Sequence, residues 1–199
     1  EDPSALDGHA WLAEWKWDGV RVQDVAEHGA KRLFSRTGDD ISGAFPDLLE
    51  AIHVTGVIDG ELLVRGADGD AAPFNDLQQR LNRKTVTASL LSSHPAFIRA
   101  YDLLALGGDD LRPLPFSERR KKLEDFIAQS TLSRFDLSPL VGFAGANELA
   151  MLRAHPPAEA IEGLMLKRSA APYVAGRPKG EWWKWKRAPY LVDAVLMYA

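Results

Sequence analysis

Three tryptophans at alternate positions near the start of the chain constrain its fold more than any other feature. Trp11, Trp15 and Trp17 are separated by even numbers of residues, and a β-strand places such residues on one face because its side chains alternate. The indoles predict a buried face, which leaves Glu14 and Lys16 together on the opposite face. A lysine at the end of a strand anchored in this way is held firmly, as a nucleophile requires.

The residues that follow predict a turn and a second strand. Asp18-Gly19 is typical of a turn between strands, and Val20, Val22 and Val25 begin the next apolar stretch. A Lys-x-Asp-Gly run also occurs by chance in hairpins, so this motif alone does not establish a function.

The remaining pattern predicts an α+β domain. We expect strands at 11–17, 20–26, 31–35, 57–64 (interrupted by Asp59-Gly60-Glu61), 97–106, 161–167, 181–187 and 191–198. We expect helices after Pro46, at 74–81, from 118 to about 129 with Ser117 as N-cap, and at 148–154. The run Arg119-Arg120-Lys121-Lys122 is interpreted as the solvent-exposed face of the third of these helices.

Composition limits the class of protein. The 199 residues fit one domain, 46% are hydrophobic and 26% charged, and no apolar run has the length of a membrane span. The absence of cysteine excludes disulfides and thiolate metal sites and suits the cytoplasm. The chain begins at Glu1 with no signal-peptide pattern, so we expect a cytoplasmic fragment of a longer protein that has no membrane partner.

Charge and motifs exclude some nucleotide chemistries and leave others open. The net charge is −4, yet the stretch 163–190 carries basic residues with aromatic residues between them, a composition that can contact phosphates. There is no Walker loop and no G-x-G-x-x-G, and the five histidines have no metal-ligand spacing. Near the end, Lys184 and Lys186 alternate with Trp183 and Trp185, so two ammonium groups share one strand face, where a phosphate would offset their repulsion.

Six short motifs in order carry a resemblance to a known family. They are Glu14-x-Lys16-x-Asp18-Gly19-x-Arg21, Ser35-Arg36-Thr37-Gly38, Asp59-Gly60-Glu61, Tyr101-Asp102, Glu162-Gly163-Leu164-Met165-Leu166-Lys167 and Lys184-Trp185-Lys186. This set resembles the adenylation domain of bacterial-type ATP-dependent DNA ligases, within the covalent nucleotidyltransferase superfamily, from roughly Trp11 to Tyr198. The implied fold for residues 1–199 is α+β: two antiparallel β-sheets flanked by helices with a nucleotide cleft between them, an ATP-grasp-like adenylation domain.

The resemblance also implies an activity and a set of site residues. Lys16 would attack the α-phosphate of ATP to form lysyl-AMP, and the adenylate would pass to the 5′-phosphate of nicked double-stranded DNA before the strand is sealed. Glu162 would hold Mg²⁺ or Mn²⁺, and Arg36 would bind the 5′-phosphate of the nick. Residues implied to contact the nucleotide are Glu14 (the adenine amino group), Trp15, Arg21 and Glu61 (the ribose or its surroundings), Tyr101 (stacking on adenine), Lys184 and Lys186.

Some alternatives remain open at this point. An RNA ligase or an mRNA-capping guanylyltransferase shares the lysine motif, and a non-catalytic nucleotide- or DNA-binding module could keep the same shape. The resemblance further implies a C-terminal oligonucleotide-binding-fold domain beyond Ala199, and in many relatives an N-terminal DNA-binding domain. We expect the protein to be a monomer.

Overall fold

A computed structural model describes residues 10–187 except 54, 82, 84, 131 and 177. The strands are β1 (Trp11–Trp17), β2 (Val20–Glu27), β3 (Ala30–Ser35), β4 (Gly56–Val64), β5 (Ala96–Leu106), β6 (Asp109–Asp110), β7 (Phe135–Leu137), β8 (Leu140–Val141), β9 (Ile161–Arg168) and β10 (Trp182–Lys186). The helices are α1 (Pro46–Ala51), α2 (Phe74–Gln78), α3 (Ala88–Ser93), α4 (Phe116–Gln129) and α5 (Ala146–Ala154), with a 3₁₀ helix at Ser42–Ala44.

These strands form two sheets, which confirms the predicted α+β class. The four-stranded sheet has the order β10-β9-β1-β8, and the six-stranded sheet has the order β3-β2-β4-β5-β6. Neighbours in both orders are antiparallel, while β7 adds to β5 in parallel. Among the described residues, no helix is long and apolar enough to cross a membrane.

The turn at Asp18-Gly19 carries the chain from one sheet to the other. Strand β1 pairs with β8 and β9, whereas β2 pairs with β3 and β4, so β1 and β2 do not form a hairpin. A Cβ atom on Gly19 would lie 2.4 Å from the carbonyl oxygen of Leu62, so only glycine lets the chain pass this close to β4. The end of β1, with Lys16, therefore lies next to the six-stranded sheet.

Burial confirms the predicted indole face. Trp11 is buried in a small core with Leu149 of α5 and Leu164 and Leu166 of β9, and Trp15 packs against it. Trp17 is buried in a separate cluster, and its indole Nε1 donates a hydrogen bond to Ser138 Oγ at 3.1 Å. These contacts fix β1 from one side, and the opposite side is left for Glu14 and Lys16.

The largest core lies between the six-stranded sheet and helices α1, α2 and α4. Its most buried members include Val22, Leu48, Leu62, Leu77 and Leu123. Leu123 of α4 is buried in this core, and Phe126 and Ile127 pack against it. This packing holds α4 along the sheet, and Arg119 in its first turn binds Asp102 of β5.

Several element boundaries differ from the predictions. Strand β4 is continuous from Gly56 to Val64, because Asp59, Gly60 and Glu61 all pair with β2 and β5. The predicted helix from 118 begins at Phe116 with Pro115 as N-cap, so Ser117 does not cap it.

Helix α2 ends at Gln78 rather than 81. Helix α3 was not predicted, although Thr87 caps it by accepting a hydrogen bond from the Leu90 backbone. The strand predicted at 191–198 lies outside the described residues.

Candidate active site

Lys16 lies in a cluster of charges at the end of β1. Its ammonium group donates a hydrogen bond to Glu162 Oε1, and Lys186 Nζ lies 2.6 Å from Glu162 Oε2. Burial disfavours the Glu162 anion, but the two lysines outweigh burial and lower the pKa of this carboxyl. One carboxylate therefore binds two ammonium groups, one through each oxygen.

Gly163 allows this convergence. Lys16 and Lys186 are both in register with Gly163, from the two strands that flank β9. A Cβ atom on Gly163 would lie 2.3 Å from the Trp185 carbonyl oxygen, and its φ of +149° is unfavourable for other residues. Glycine at this position brings β10 close enough for Lys186 to reach the Glu162 carboxylate.

Glu61 faces the same cluster from the six-stranded sheet. Burial raises the pKa of Glu61 to about 8, against the lowering effect of the Lys16 ammonium and of a hydrogen bond from the Gly19 backbone. At neutral pH this carboxyl is mostly protonated, so Glu162 is the principal anion beside Lys16. The sequence predictions for Lys16, Glu61, Glu162 and Lys186 thus meet at one place.

A second network lies around Asp59, which is fully buried. Arg21 donates to both carboxylate oxygens at 2.9 and 2.6 Å, and the hydroxyls of Tyr101 and Tyr173 donate at 3.2 and 2.7 Å. Burial opposes the charge of Arg21, but its bonds to Asp59 raise its pKa. Burial also raises the pKa values of both tyrosines, and the Asp59 carboxylate adds to the effect, so both hydroxyls remain protonated donors.

Sequence reasoning missed Tyr173 and gave Asp59 no role. Asp59 was noted only as part of a motif, although an aspartate between apolar strand residues is itself a signal that it has partners. Tyr173 lies between β9 and β10 in a stretch without a periodic pattern, and nothing local indicates that its hydroxyl reaches Asp59. Gln23 Nε2 also donates to this hydroxyl, at 3.0 Å.

Glu14 belongs to a third network, which is deeply buried. Its side chain is 2% exposed, and its two oxygens lie 2.8 Å from Arg120 Nη1 and 2.5 Å from Lys167 Nζ. Burial raises the pKa of Glu14, while Lys167 and Arg120 oppose the rise. Although Glu14 shares a strand face with Lys16, its surroundings are quite different.

The prediction that Arg119 and Arg120 lie on the solvent-exposed face of α4 is wrong. Both are buried, whereas the next two lysines of the run are exposed. Arg119 binds both oxygens of Asp102, through Nε at 2.8 Å and Nη2 at 2.9 Å. Positions 116, 119, 120 and 123 lie on one helix face, so Phe116 and Leu123 could have indicated that both arginines point inward.

The remaining predicted site residues lie around these networks. Lys184 is exposed, on the same face of β10 as Lys186, while Trp183 and Trp185 pack against the small core, as predicted. Trp15 packs into that core, on the face of β1 away from Lys16, so its indole is not part of the charged cluster. Arg36 is exposed and lines a groove of about 480 Å³ together with Arg21, Phe34, Ser35 and Thr37.

Comparison with known proteins decides the family. The family model described as "ATP dependent DNA ligase domain" matches residues 3–186. The chain belongs to this DNA ligase domain family. The DNA ligase of Halobacterium salinarum is 33% identical to this ligase domain over 196 residues, covering 94% of this chain and 34% of the relative.

Solved structures agree with this assignment. The ligase domain of LigD from M. tuberculosis superposes with a TM-score of 0.71 at 30% identity, covering 92% of this chain and 56% of that one. A mycobacterial DNA ligase D complexed with ATP and MES gives a TM-score of 0.68 at 30% identity, with the same coverage. This ligase domain spans about a third of the length of its curated relative, 34% in the case above.

Proposed function

We propose that this chain is the nucleotide-transfer domain of an ATP-dependent DNA ligase and that Lys16 is its adenylate acceptor. The observation that carries the proposal is the position of Lys16, with Lys186 and Glu162 beside it and Glu61 facing it from the other sheet. Membership of the ligase domain family and the likeness to a ligase complexed with ATP support ATP as the nucleotide.

The proposed step is an in-line displacement at the α-phosphorus of ATP. The Lys16 Nζ lone pair forms an N–P bond, the bond from that phosphorus to the bridging oxygen breaks, pyrophosphate leaves, and Nζ loses a proton. Lys16 must be neutral to attack, and its Nζ is hydrogen-bonded to Glu162 in the structure. Lys186, at the exposed edge of the cluster, would stabilise the phosphate charge that develops during transfer.

Glu162 is the side chain that would hold a divalent cation. Among the residues that the structure describes, no three His, Cys, Asp or Glu side chains are grouped to bind a metal by themselves. That arrangement fits Mg²⁺, which usually takes one or two carboxylates and completes its shell with phosphate oxygens and waters. A cation held there would supply positive charge that neutralises the phosphate.

The other two networks would receive the nucleoside. Tyr101 would stack on the adenine, Glu14 would accept a hydrogen bond from its amino group, and Arg21 would contact the ribose. Arg21 and Tyr101 are both fixed by Asp59, so their positions are set before any nucleotide binds. Lys184 would join Lys186 at the phosphates.

Nick sealing would be an activity of a longer protein. The adenylate would pass from Lys16 to the 5′-phosphate of nicked double-stranded DNA, with Arg36 binding that phosphate, and the 3′-hydroxyl would then displace AMP. Relatives are about three times as long as the matched region, which supports a contribution from parts of the protein outside this region.

Intact mass spectrometry after incubation with ATP and Mg²⁺ tests the proposal. We expect the chain to gain the mass of one AMP, and we expect GTP to give no comparable adduct. Equal labelling by GTP would favour a guanylyltransferase, and no adduct with either nucleotide, also in a protein extended to the length of the relatives, would refute nucleotide transfer. Sealing of a labelled nicked duplex by the chain and by the extended protein then tests the DNA step.

A further inference from the structure

One buried cation from α4, Arg120, and one from β9, Lys167, meet at the carboxylate of Glu14. Arg120 Nη1 lies 2.8 Å from one of its oxygens, and Lys167 Nζ lies 2.5 Å from the other. The side chains of all three residues are at most 4% exposed. Burying an ion pair so far from water is costly. Its presence beside the proposed contact with the nucleotide base therefore indicates a specific role.

The two cations are themselves fixed in place. The Lys167 ammonium lies over the rings of Tyr101, Phe116 and Trp182, at 4.5, 4.6 and 4.6 Å from their centroids. Arg120 also binds Glu124 Oε1 through Nε at 2.7 Å, one turn along α4. Neither cation can move without losing these contacts, and therefore the Glu14 carboxylate has a defined orientation.

The two cations do not use all of the hydrogen-bond acceptor capacity of Glu14. An ionised carboxylate has about four lone-pair positions, and each oxygen here uses one of them for a cation. The remaining positions can only accept hydrogen bonds. A purine with a 6-amino group offers a donor to such a site, whereas a 6-oxo group offers a second acceptor and is repelled.

We propose that Arg120 and Lys167 are positioning residues that hold Glu14 as a hydrogen-bond acceptor and so determine the preference of the site for a 6-aminopurine nucleotide. The inference rests on the proposed function, because it takes the nucleotide to bind beside Glu14 and Tyr101. It adds the source of base selectivity, which lies partly on a helix outside the recognised motifs. Arg120 acts through Glu14 and does not touch the base.

The test compares ATP with inosine triphosphate, which carries a 6-oxo group. Formation of the lysyl-nucleotide would be followed by intact mass in the wild-type chain, Arg120→Met, Arg120→Lys and Lys167→Met. In the methionine variants we expect the ratio of kcat/KM for ATP to kcat/KM for inosine triphosphate to fall by about tenfold or more. The reason is that Glu14 would no longer be held as a hydrogen-bond acceptor. The loss should fall on KM for ATP, with kcat changed by less than about threefold.

Controls separate this role from simple loss of structure. Arg80→Lys alters another fully buried arginine, which binds Asp47 away from the nucleotide site, so it should lower the melting temperature without changing the preference. Arg120→Lys keeps a cation near Glu14 and should retain more of the preference than Arg120→Met. Melting curves for each variant confirm that the protein is folded under the assay conditions.

The outcomes are distinguishable. A folded Arg120→Met or Lys167→Met protein with an unchanged preference, or with both nucleotides reduced equally, overturns the inference while the proposed function stands. If the wild-type chain and its extended form take up no nucleotide from ATP, the proposed function fails and the inference fails with it.

Discussion

Glu14 and Lys16 lie two residues apart on the same face of β1, yet Glu14 belongs to a buried network of charges and Lys16 to a partly exposed one. The Glu14 network is buried, and each carboxylate oxygen has its own cation. In the Lys16 cluster, two ammonium groups share one carboxylate, and the side chain of Lys186 is 60% exposed. One strand therefore passes from a buried carboxylate that binds two cations to a partly exposed carboxylate that binds two cations.

This difference separates residues that position the nucleotide from residues that take part in its transfer. Buried ion pairs are held rigidly, and removing one partner leaves the other uncompensated in a medium that solvates it poorly. At the open end, much of the Lys186 side chain lies in solvent, so it can also contact the phosphate of a bound nucleotide. We expect substitutions in the first region to affect stability and selectivity, and those in the second to affect the rate of nucleotide transfer.

Removal of the proposed nucleophile should have the largest effect. Lys16→Ala should abolish the acid-labile AMP adduct, because no other amine occupies its position, and the protein should remain folded since the Trp-bearing face of β1 is intact. The measurement is intact mass after incubation with ATP and Mg²⁺. Lys122→Ala, at an exposed position of α4, is the control and should label normally. An adduct on Lys16→Ala, mapped to another lysine, would contradict the assignment.

Breaking a buried pair should have the next largest effect, this time on stability. Arg119→Met leaves the Asp102 carboxylate buried without its bidentate partner and should cost about 3–5 kcal/mol of unfolding free energy, measured by urea denaturation. Arg119→Met with Asp102→Leu should recover part of the loss.

Arg112 provides the matched control for this prediction. It binds Asp110 in the same bidentate geometry, at 2.9 and 2.8 Å, but both side chains are about half exposed, at 59% and 49%. Arg112→Met should leave the unfolding free energy unchanged within error, because water solvates the remaining carboxylate. Equal losses at the two sites would show that burial is not what distinguishes them.

At the open end, substitution of the strand lysines should reduce the rate of nucleotide transfer. Lys184→Ala and Lys186→Ala should each slow AMP transfer at saturating ATP by about 100-fold, as expected for groups that stabilise developing charge. ATP affinity, measured by calorimetry, should change much less. A loss confined to affinity, with an unchanged saturated rate, would contradict this division between the two regions.

The comparison can be tested further with Asp24, a buried carboxyl that has no cation at hydrogen-bonding distance among the described residues. Asp24 is buried in β2 with Oδ1 lacking a partner, and burial raises its pKa to about 7, only partly opposed by Lys31. The folded protein keeps this proton while the unfolded chain loses it near pH 4, so stability should fall as pH rises from about 4 to 7, by at most about 1.4 kcal/mol per pH unit.

Asp24→Asn tests this dependence because it cannot ionise. Its urea midpoints between pH 5 and pH 8 should decline less than those of the wild type, and the difference should stop growing above pH 7. Asp125→Asn, at an exposed position of α4, should follow the wild-type profile. Parallel profiles for Asp24→Asn and the wild type would mean that Asp24 does not carry the dependence.

The sequence predicted the open cluster better than the buried networks, for physical reasons. Strand periodicity alone placed the indoles inside and Lys16 outside, and the motifs indicated Glu61, Glu162 and Lys186. The partners of Glu14 come from α4 and β9, 106 and 153 positions away along the chain, and such contacts depend on how the sheets and helices pack. The charged run on α4 was misinterpreted because charge was given more weight than helical phase.

Arg36 should give the smallest effect on nucleotide transfer and a measurable one only with DNA. It lies in the loop after β3, in the groove that also contains Arg21, and it belongs to neither charge network. Arg36→Ala should therefore form the AMP adduct at the wild-type rate.

If Arg36 binds a phosphate of the nick, the Arg36→Ala variant should release one counterion fewer than the wild type when it binds DNA. The slope of log affinity against log salt, measured on a nicked duplex with the extended protein, should then become shallower by about one. Lys122→Ala, which removes one exposed positive charge elsewhere on the surface, is the control and should keep the wild-type slope. An unchanged slope for Arg36→Ala with a slower AMP transfer would indicate that Arg36 contacts the nucleotide rather than DNA. The groove would then be part of the nucleotide site.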